Sequence, residues 1–177
     1  IAHQAEDLQA QIACWIGTDE PQSTLLLSPP GYGKTTLLRE WVRYFSDRGF
    51  TAAIADERSE IAALADGVPQ LAVGRCTDVM EGCSKWQAAV MLLKTMSPAL
   101  LALDEITAPE DAKAVSLCTH CGTAVIACAH AAGLDDLRQR PIYRELLALG
   151  AFHQAVIIEK QDGQRVYRME RWEETKC

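Results

Sequence analysis

A chain of 177 residues with 49% hydrophobic residues has room for one globular domain with a sizeable core. Its formal net charge of −7 speaks against duplex nucleic acid as the main partner, because binding a phosphate backbone usually needs a basic face. No apolar run approaches the ~18 residues of a membrane span and no signal peptide is visible, so the thiols are expected to be reduced.

Ile1, Ala5, Leu8, Ile12 and Trp15 fall on one face of an amphipathic helix that Gly17 stops. The chain opens on Ile1 rather than methionine, so it is expected to be a piece of something longer. Residues 1–17 would then pack on the core or be the remnant of an absent N-terminal domain. Residues 18–22, acidic and containing Pro21, lead into the main domain expected over residues 18–177.

The next stretch, TLLLSPPGYGKTTLLRE, carries the strongest signal in the chain. A short apolar strand (Leu25, Leu26, Leu27) meets a Pro- and Gly-rich turn, and a helix follows with Leu37, Leu38, Trp41, Val42 and Phe45 on one stripe. Strand, loop and helix are the context that a phosphate-binding loop requires. Loop N–H groups and the positive end of the helix dipole would face an anion. Gly31 and Gly33 would let the backbone approach the phosphate oxygens. Pro30, Gly31, Tyr32, Gly33, Lys34, Thr35 and Thr36 are therefore the expected ATP-binding residues. Lys34 would reach the β- and γ-phosphates and the Thr35 hydroxyl would ligate Mg²⁺. The pattern G-x-x-x-x-G-K-[ST] is met except at its first position, where Ser28 stands in place of glycine. That departure bears on how the chain enters the loop and leaves the Gly-Lys-Thr intact.

A second buried strand over 51–55 delivers Asp56, Glu57 and Arg58 to its C-terminal end, where ligands sit in open α/β sheets. A solvated strand end is the competing reading. Residues 62–73 read as loop with a short helix, and 74–78, with Arg75, as a further loop. Ser84 and Gln87 fit a capping box for a helix carrying Trp86, Ala89, Val90, Leu93 and Met96, closed by Pro98.

The strand Leu100-Leu101-Ala102-Leu103 then ends in Asp104-Glu105, roughly 70 residues after Lys34. At that distance from a phosphate loop, Asp104 is expected in the Mg²⁺ shell and Glu105 as the group that orients or deprotonates the attacking water. An acid directly after the metal aspartate favours an ATP hydrolase of the additional-strand class. Thr107 and Glu110 fit another capping box, with Pro109 in the first turn of a helix that ends before Gly122. The Cys118-Thr-His-Cys121 spacing invites a zinc or redox reading, but no second ligand pair stands nearby, and buried or idle thiols are expected. A strand over 123–128 runs to His130, the candidate γ-phosphate sensor; a histidine satisfied in a turn is the alternative. A helix over 142–149 follows. The end is a hairpin, strands 152–159 and 164–169 around an Asp162-Gly163 turn.

Taken in order, LLLSPPGYGKTTLLRE, ADERSEIA, GVPQLAVGRCTDVMEGCSKWQAAVMLLKTMSPALLALDE and VIACAH resemble the ATPase domain of the stage III sporulation protein AA family. That family is akin to the ATPases of type II and type IV secretion and pilus systems, and in it Ser also precedes Pro-Pro-Gly. The resemblance implies an α/β, RecA-like P-loop fold, with a mostly parallel central sheet flanked by helices and a C-terminal antiparallel hairpin. It implies a homo-oligomer, a hexamer by likeness to secretion ATPases, with Mg²⁺-ATP at subunit interfaces. It further implies membrane partners in a sporulation channel complex, with the motor peripheral to the membrane on the cytoplasmic, mother-cell side of the forespore. Asp56, Glu57 and Arg58 would match an acidic box and His130 a histidine box. Arg58 or Arg75, or else Arg138 or Arg140, would reach a neighbour's γ-phosphate. A nucleotide-gated scaffold with little turnover and a nucleic-acid-dependent ATPase are the alternatives, whereas a transporter ATPase would need an L-S-G-G-Q signature that this chain lacks.

Overall fold

Five apolar runs of this sequence have no polar face, and such strands are stable only between two layers of helices. The computed structural model, which describes residues 2–16 and 19–172 and side chains from Leu8 onward, places them in the middle of one sheet. They are β1 (Thr24–Leu27), β2 (Ala52–Asp56), β6 (Leu100–Glu105), β7 (Ala124–Ala129) and β8 (Gln154–Gln161). With β5 (Thr77–Glu81) and β9 (Gln164–Arg171) at the edges, the order is β5-β2-β6-β7-β1-β8-β9. All pairs are parallel except the β8–β9 hairpin. Strand β7 lies between β1 and β6, the arrangement of the additional-strand class.

The helices are α1 (Ala2–Ile16), α2 (Lys34–Ser46), α3 (Lys85–Met96), α4 (Pro109–His120), the short α5 (Leu134–Arg138) and α6 (Pro141–Ala148). Strand side chains alternate between two cores as a period of two requires. Leu25, Leu27, Ala53, Ala55, Leu101, Leu103, Val125 and Ala127 face α3, α4 and α6. Leu26, Ile54, Leu100, Ala102, Ile126 and Cys128 face α1 and α2, around the fully buried Trp41 and Phe45. Leu8, Ile12 and Ile16 belong to this second core, Trp15 stacks on Trp41 at 6.2 Å, and Gln9 donates to Glu40, so α1 is packed on the domain. Ile1, Gly17 and Cys177 lie outside the described residues.

Three local expectations are corrected. Residues 62–73 contain no helix: β3 (Leu64–Ala65) and β4 (Val68–Pro69) form a small antiparallel ribbon. Its two-residue turn, Asp66-Gly67, has φ of 50° and 77°, as a type I′ hairpin demands. The same Asp-Gly signal ends the β8–β9 hairpin. Residues 77–81, partly read as loop, are the edge strand β5, docked by tertiary contacts. The Ser46 hydroxyl accepts from the Cys76 N–H and the Thr77 hydroxyl, both at 2.8 Å. Gly74 lets the chain pass there, since a Cβ would stand 2.4 Å from Ser46. Finally, the acid that closes the first turn of α4 is Asp111, one residue beyond Glu110. It accepts from the N–H groups of Thr107 and Ala108 and from the Thr107 hydroxyl, because the helix starts one residue later than Thr107 at the cap would require. The box over Ser84 and Gln87 forms as expected.

Candidate functional site

The C-terminal ends of β1, β7 and β6 meet at the first turn of α2. Gly31 and Gly33 take φ of 76° and 91°, left-handed values that a side chain resists, and Gly33 is the residue immediately before the helix. Ser28 is fully buried and not among the positive-φ positions, so glycine is not needed there for backbone reasons. Its hydroxyl instead donates to the Pro29 carbonyl at 2.8 Å. Pro30 and Thr36 are exposed, and Tyr32 and Thr35 half-buried.

Lys34 is 7% exposed and its Nζ folds back onto the loop. It donates to the Ser28 carbonyl (2.8 Å), the Ser28 hydroxyl (3.2 Å) and the Pro29 carbonyl (3.1 Å). It also meets His130 Nδ1 at 2.8 Å. Burial lowers the Lys34 pKa, while Cys128, Glu105 and Asp104 pull it back up. Its nearest acceptors are neutral, and the Glu105 and Asp104 carboxylates answer its charge from farther away.

On the far side of the imidazole, His130 Nε2 lies 3.0 Å from Glu105 Oε2. With Lys34 donating to Nδ1, the ring proton is assigned by this network to Nε2, where it is donated to the carboxylate. Lysine from the first turn of α2, histidine from beyond β7 and glutamate from the end of β6 form one continuous contact.

A bulge makes that contact possible. Consecutive strand residues point to opposite faces. Between β6 and β7 the register runs Leu103↔Ala127 and then Glu105↔Cys128, leaving Asp104 as the extra residue. Leu103 and Ala127 face α3 and α4, whereas Cys128 faces α2. The slip therefore turns Glu105 to the α2 face, beside Lys34, where Asp104 also points by parity. Burial and both carboxylates together push the Cys128 thiol far up, with burial the larger cause.

Asp104 is half-buried and makes no hydrogen bond or ion pair among the described residues, and the Thr35 hydroxyl is likewise uncommitted there. Among the described residues no group of three His, Cys, Asp or Glu could cage a metal. Mg²⁺ is usually held by one or two protein oxygens, with phosphates and waters completing its shell. Two hard, unspent oxygens beside the glycine-rich loop fit that ion.

The other expected residues are placed as follows. Asp56, 1% exposed, accepts from the N–H groups of Glu60, Ile61 and Ala62 at 2.8–3.1 Å and so folds its own loop. Glu57 is exposed and bonded at 2.7 Å to Lys85 Nζ, a buried ammonium that also lies 3.6 Å from Asp111. Arg58 is exposed and has no ion pair among the described residues. Arg75 is bonded to the Asp47 carbonyl just past the C-terminal end of α2, a helix length of ~20 Å from the glycine-rich loop at its start. Arg138 and Arg140 are paired with Asp135 and Asp136. Cys118 is buried, its thiol pushed up to about 12 by burial, and Cys121 is exposed. Sequence reasoning passed over Lys85, which only its depth in the fold distinguishes from any helix-end lysine. It also passed over Lys160 and Arg165, whose hairpin lies over the loop.

Comparison with known proteins bears on the family and the fold. The pattern of the sporulation stage III, protein AA family matches residues 1–169. Stage III sporulation protein AA of Bacillus subtilis is 36% identical over 146 residues, 80% of this chain and 48% of that protein. The chain thus spans about half the length of that relative. Among solved structures, the VirB11 ATPase of the Brucella suis type IV secretion system superposes with a TM-score of 0.61 at 15% identity, over 96% of this chain and 52% of that one. The Legionella pneumophila ATPase DotB gives 0.62 at 17%, over 88% and 46%. The fold is that of the RecA-like secretion ATPases.

Proposed function

This chain belongs to the stage III sporulation protein AA family, and from that premise we propose that it is a Mg²⁺-dependent ATP hydrolase. It serves as the oligomeric motor of a secretion-like channel complex between mother cell and forespore. It works from the cytoplasmic, mother-cell side, peripheral to the membrane; among the described residues no helix is long and apolar enough to cross one. The observation that carries the catalytic reading is the Lys34–His130–Glu105 contact at a loop whose two glycines are left-handed.

Residues 30–36 hold the phosphate chain through loop N–H groups and Lys34, which exchanges its carbonyl partners for phosphate oxygens. Thr35 and Asp104 would hold Mg²⁺, which would offset the negative charge of the phosphate chain. Glu105 aligns a water and accepts its proton as the water oxygen bonds to the γ-phosphorus. The bond to the β–γ bridging oxygen breaks, giving ADP and phosphate. His130 touches the residue that meets the γ-phosphate and the one that meets the water, which suits it to sense the nucleotide state. The exposed Glu57 and Arg58 face a neighbouring subunit in the assembly, presented by the loop that the buried Asp56 holds in shape. Arg58, exposed and unpaired among the described residues, is better placed than Arg75 to supply a cation in trans.

The test is Mg²⁺-dependent hydrolysis per subunit as protein concentration rises, beside Lys34→Ala and Glu105→Gln. A specific rate that climbs with concentration and vanishes in both variants is expected. A rate indifferent to both substitutions would overturn the assignment. One observation favours the nucleotide-gated scaffold as a second reading: a Glu105 oxygen is already engaged by His130. A Glu105→Gln chain that assembles and still supports sporulation would select it.

A further inference from the structure

The β8–β9 hairpin does more than close the sheet edge. Its turn is Asp162-Gly163, and one pair further in Lys160 stands opposite Arg165. Both side chains reach the phosphate loop. Lys160 Nζ lies 4.6 Å from the centroid of the Tyr32 ring. The Arg165 guanidinium presses on Gly33 so closely that a Cβ there would come within 2.8 Å of Cζ and 3.1 Å of Nη1 and Nη2.

The other arginines on this strand have partners. Arg168 pairs with Glu159 and Glu170, and Arg171 donates to Gln154 and to the end of α1. Arg165 has no ion pair or hydrogen bond among the described residues, although it is held against a backbone rather than extended into solvent. Two cations on one hairpin tip, over a loop that already holds Lys34, concentrate positive charge where no carboxylate of the hairpin answers it. A guanidinium suits such a place, since its fork of N–H groups matches two phosphate oxygens at once.

We propose that Arg165, assisted by Lys160, is a clamp supplied in cis that contacts the phosphate chain of the nucleoside di- or triphosphate on the loop. This rests on the nucleotide-binding reading given above and deepens it: the C-terminal hairpin is part of the site. Because β8 is hydrogen-bonded to β1 on one side and to β9 on the other, the clamp and the loop are carried by one sheet. The contact is therefore complete within one subunit, unlike an arginine that arrives only on assembly.

The test is equilibrium binding of fluorescent ADP and ATP analogues by the whole protein, at concentrations below and above assembly. It compares wild type, Lys34→Ala, Arg165→Ala, Arg165→Lys and Arg168→Ala, with thermal melting of each nucleotide-free protein. Arg165→Ala should weaken both ligands about tenfold or more at every protein concentration, at an unchanged melting temperature. Arg165→Lys should recover part of the loss, and Arg168→Ala should bind as wild type. Wild-type affinity in Arg165→Ala, while Lys34→Ala binds poorly, would overturn the clamp and leave the phosphate loop standing. A loss seen only above the assembly concentration would overturn its action in cis. No nucleotide binding by wild type would overturn both readings together.

Discussion

Two strands of this sheet end in the same way, β2 as AAIADE and β6 as LLALDE, and the two Asp-Glu pairs lead opposite lives. Asp56 is buried with both oxygens spent on three backbone N–H groups, and Glu57 is bonded to Lys85. Asp104 is half-buried with no hydrogen bond or ion pair among the described residues, and Glu105 meets only an imidazole that also contacts Lys34. The first pair holds a loop in shape and the second holds open valences beside the glycine-rich loop that leads into α2. An acid at a strand end becomes chemistry only when the fold leaves it something to do.

The sharpest way to break this contrast is by rate. Glu105→Gln should lower hydrolysis at least about 100-fold, in the range expected of a lost general base, with the melting temperature little changed. Asp56→Ala should act through the fold. Removing the acceptor of three buried N–H groups should cost about 3 kcal/mol in denaturant unfolding, with nucleotide affinity per folded molecule retained. A reversal of these two phenotypes would exchange the roles of the strands. Glu57→Gln should be milder still, within about 1 kcal/mol, because its ion pair with Lys85 is partly open to water. If residues 56–58 act between subunits, that variant should also flatten the rise of specific rate with concentration.

The smallest expected effect concerns the thiols. The Cys118 pKa is raised from near 9 to about 12 in the fold, so its thiol stabilises the native state below pH ~9. That contribution should fade as pH climbs through about 12. At pH 8.5 native Cys118 should resist alkylation while exposed Cys121 reacts, and both should react in denaturant, as peptide mass spectrometry would read.

Much of the architecture was legible in the chain because its signals are local. Apolar runs marked buried strands and Gly31 and Gly33 ahead of Lys34 marked a turn into a helix, while the family resemblance supplied the mostly parallel sheet. Asp162-Gly163 called for a hairpin. Where reading failed, the deciding contacts were distant or a local signal was passed over. Strand β5 has little apolar character and is fixed by the Ser46 hydroxyl and by the room Gly74 leaves. The β3–β4 turn was written in Asp66-Gly67 but masked by Pro69 in so short a strand.

The amino-acid sequence by itself determined the order of the long buried strands and helices, the glycine-rich turn ahead of α2 and the acids at the strand ends. Each rests on periodicity or on the conformational freedom of a few adjacent residues. Only the tertiary structure decided that the β6 bulge turns Asp104 and Glu105 to one face, that Asp56 is spent, and that Arg165 lies on Gly33. Those outcomes depend on which groups from remote parts of the chain arrive to satisfy a carboxylate or leave a cation unanswered. Charge balance at a site is a property of the packed molecule, and no local pattern encodes it.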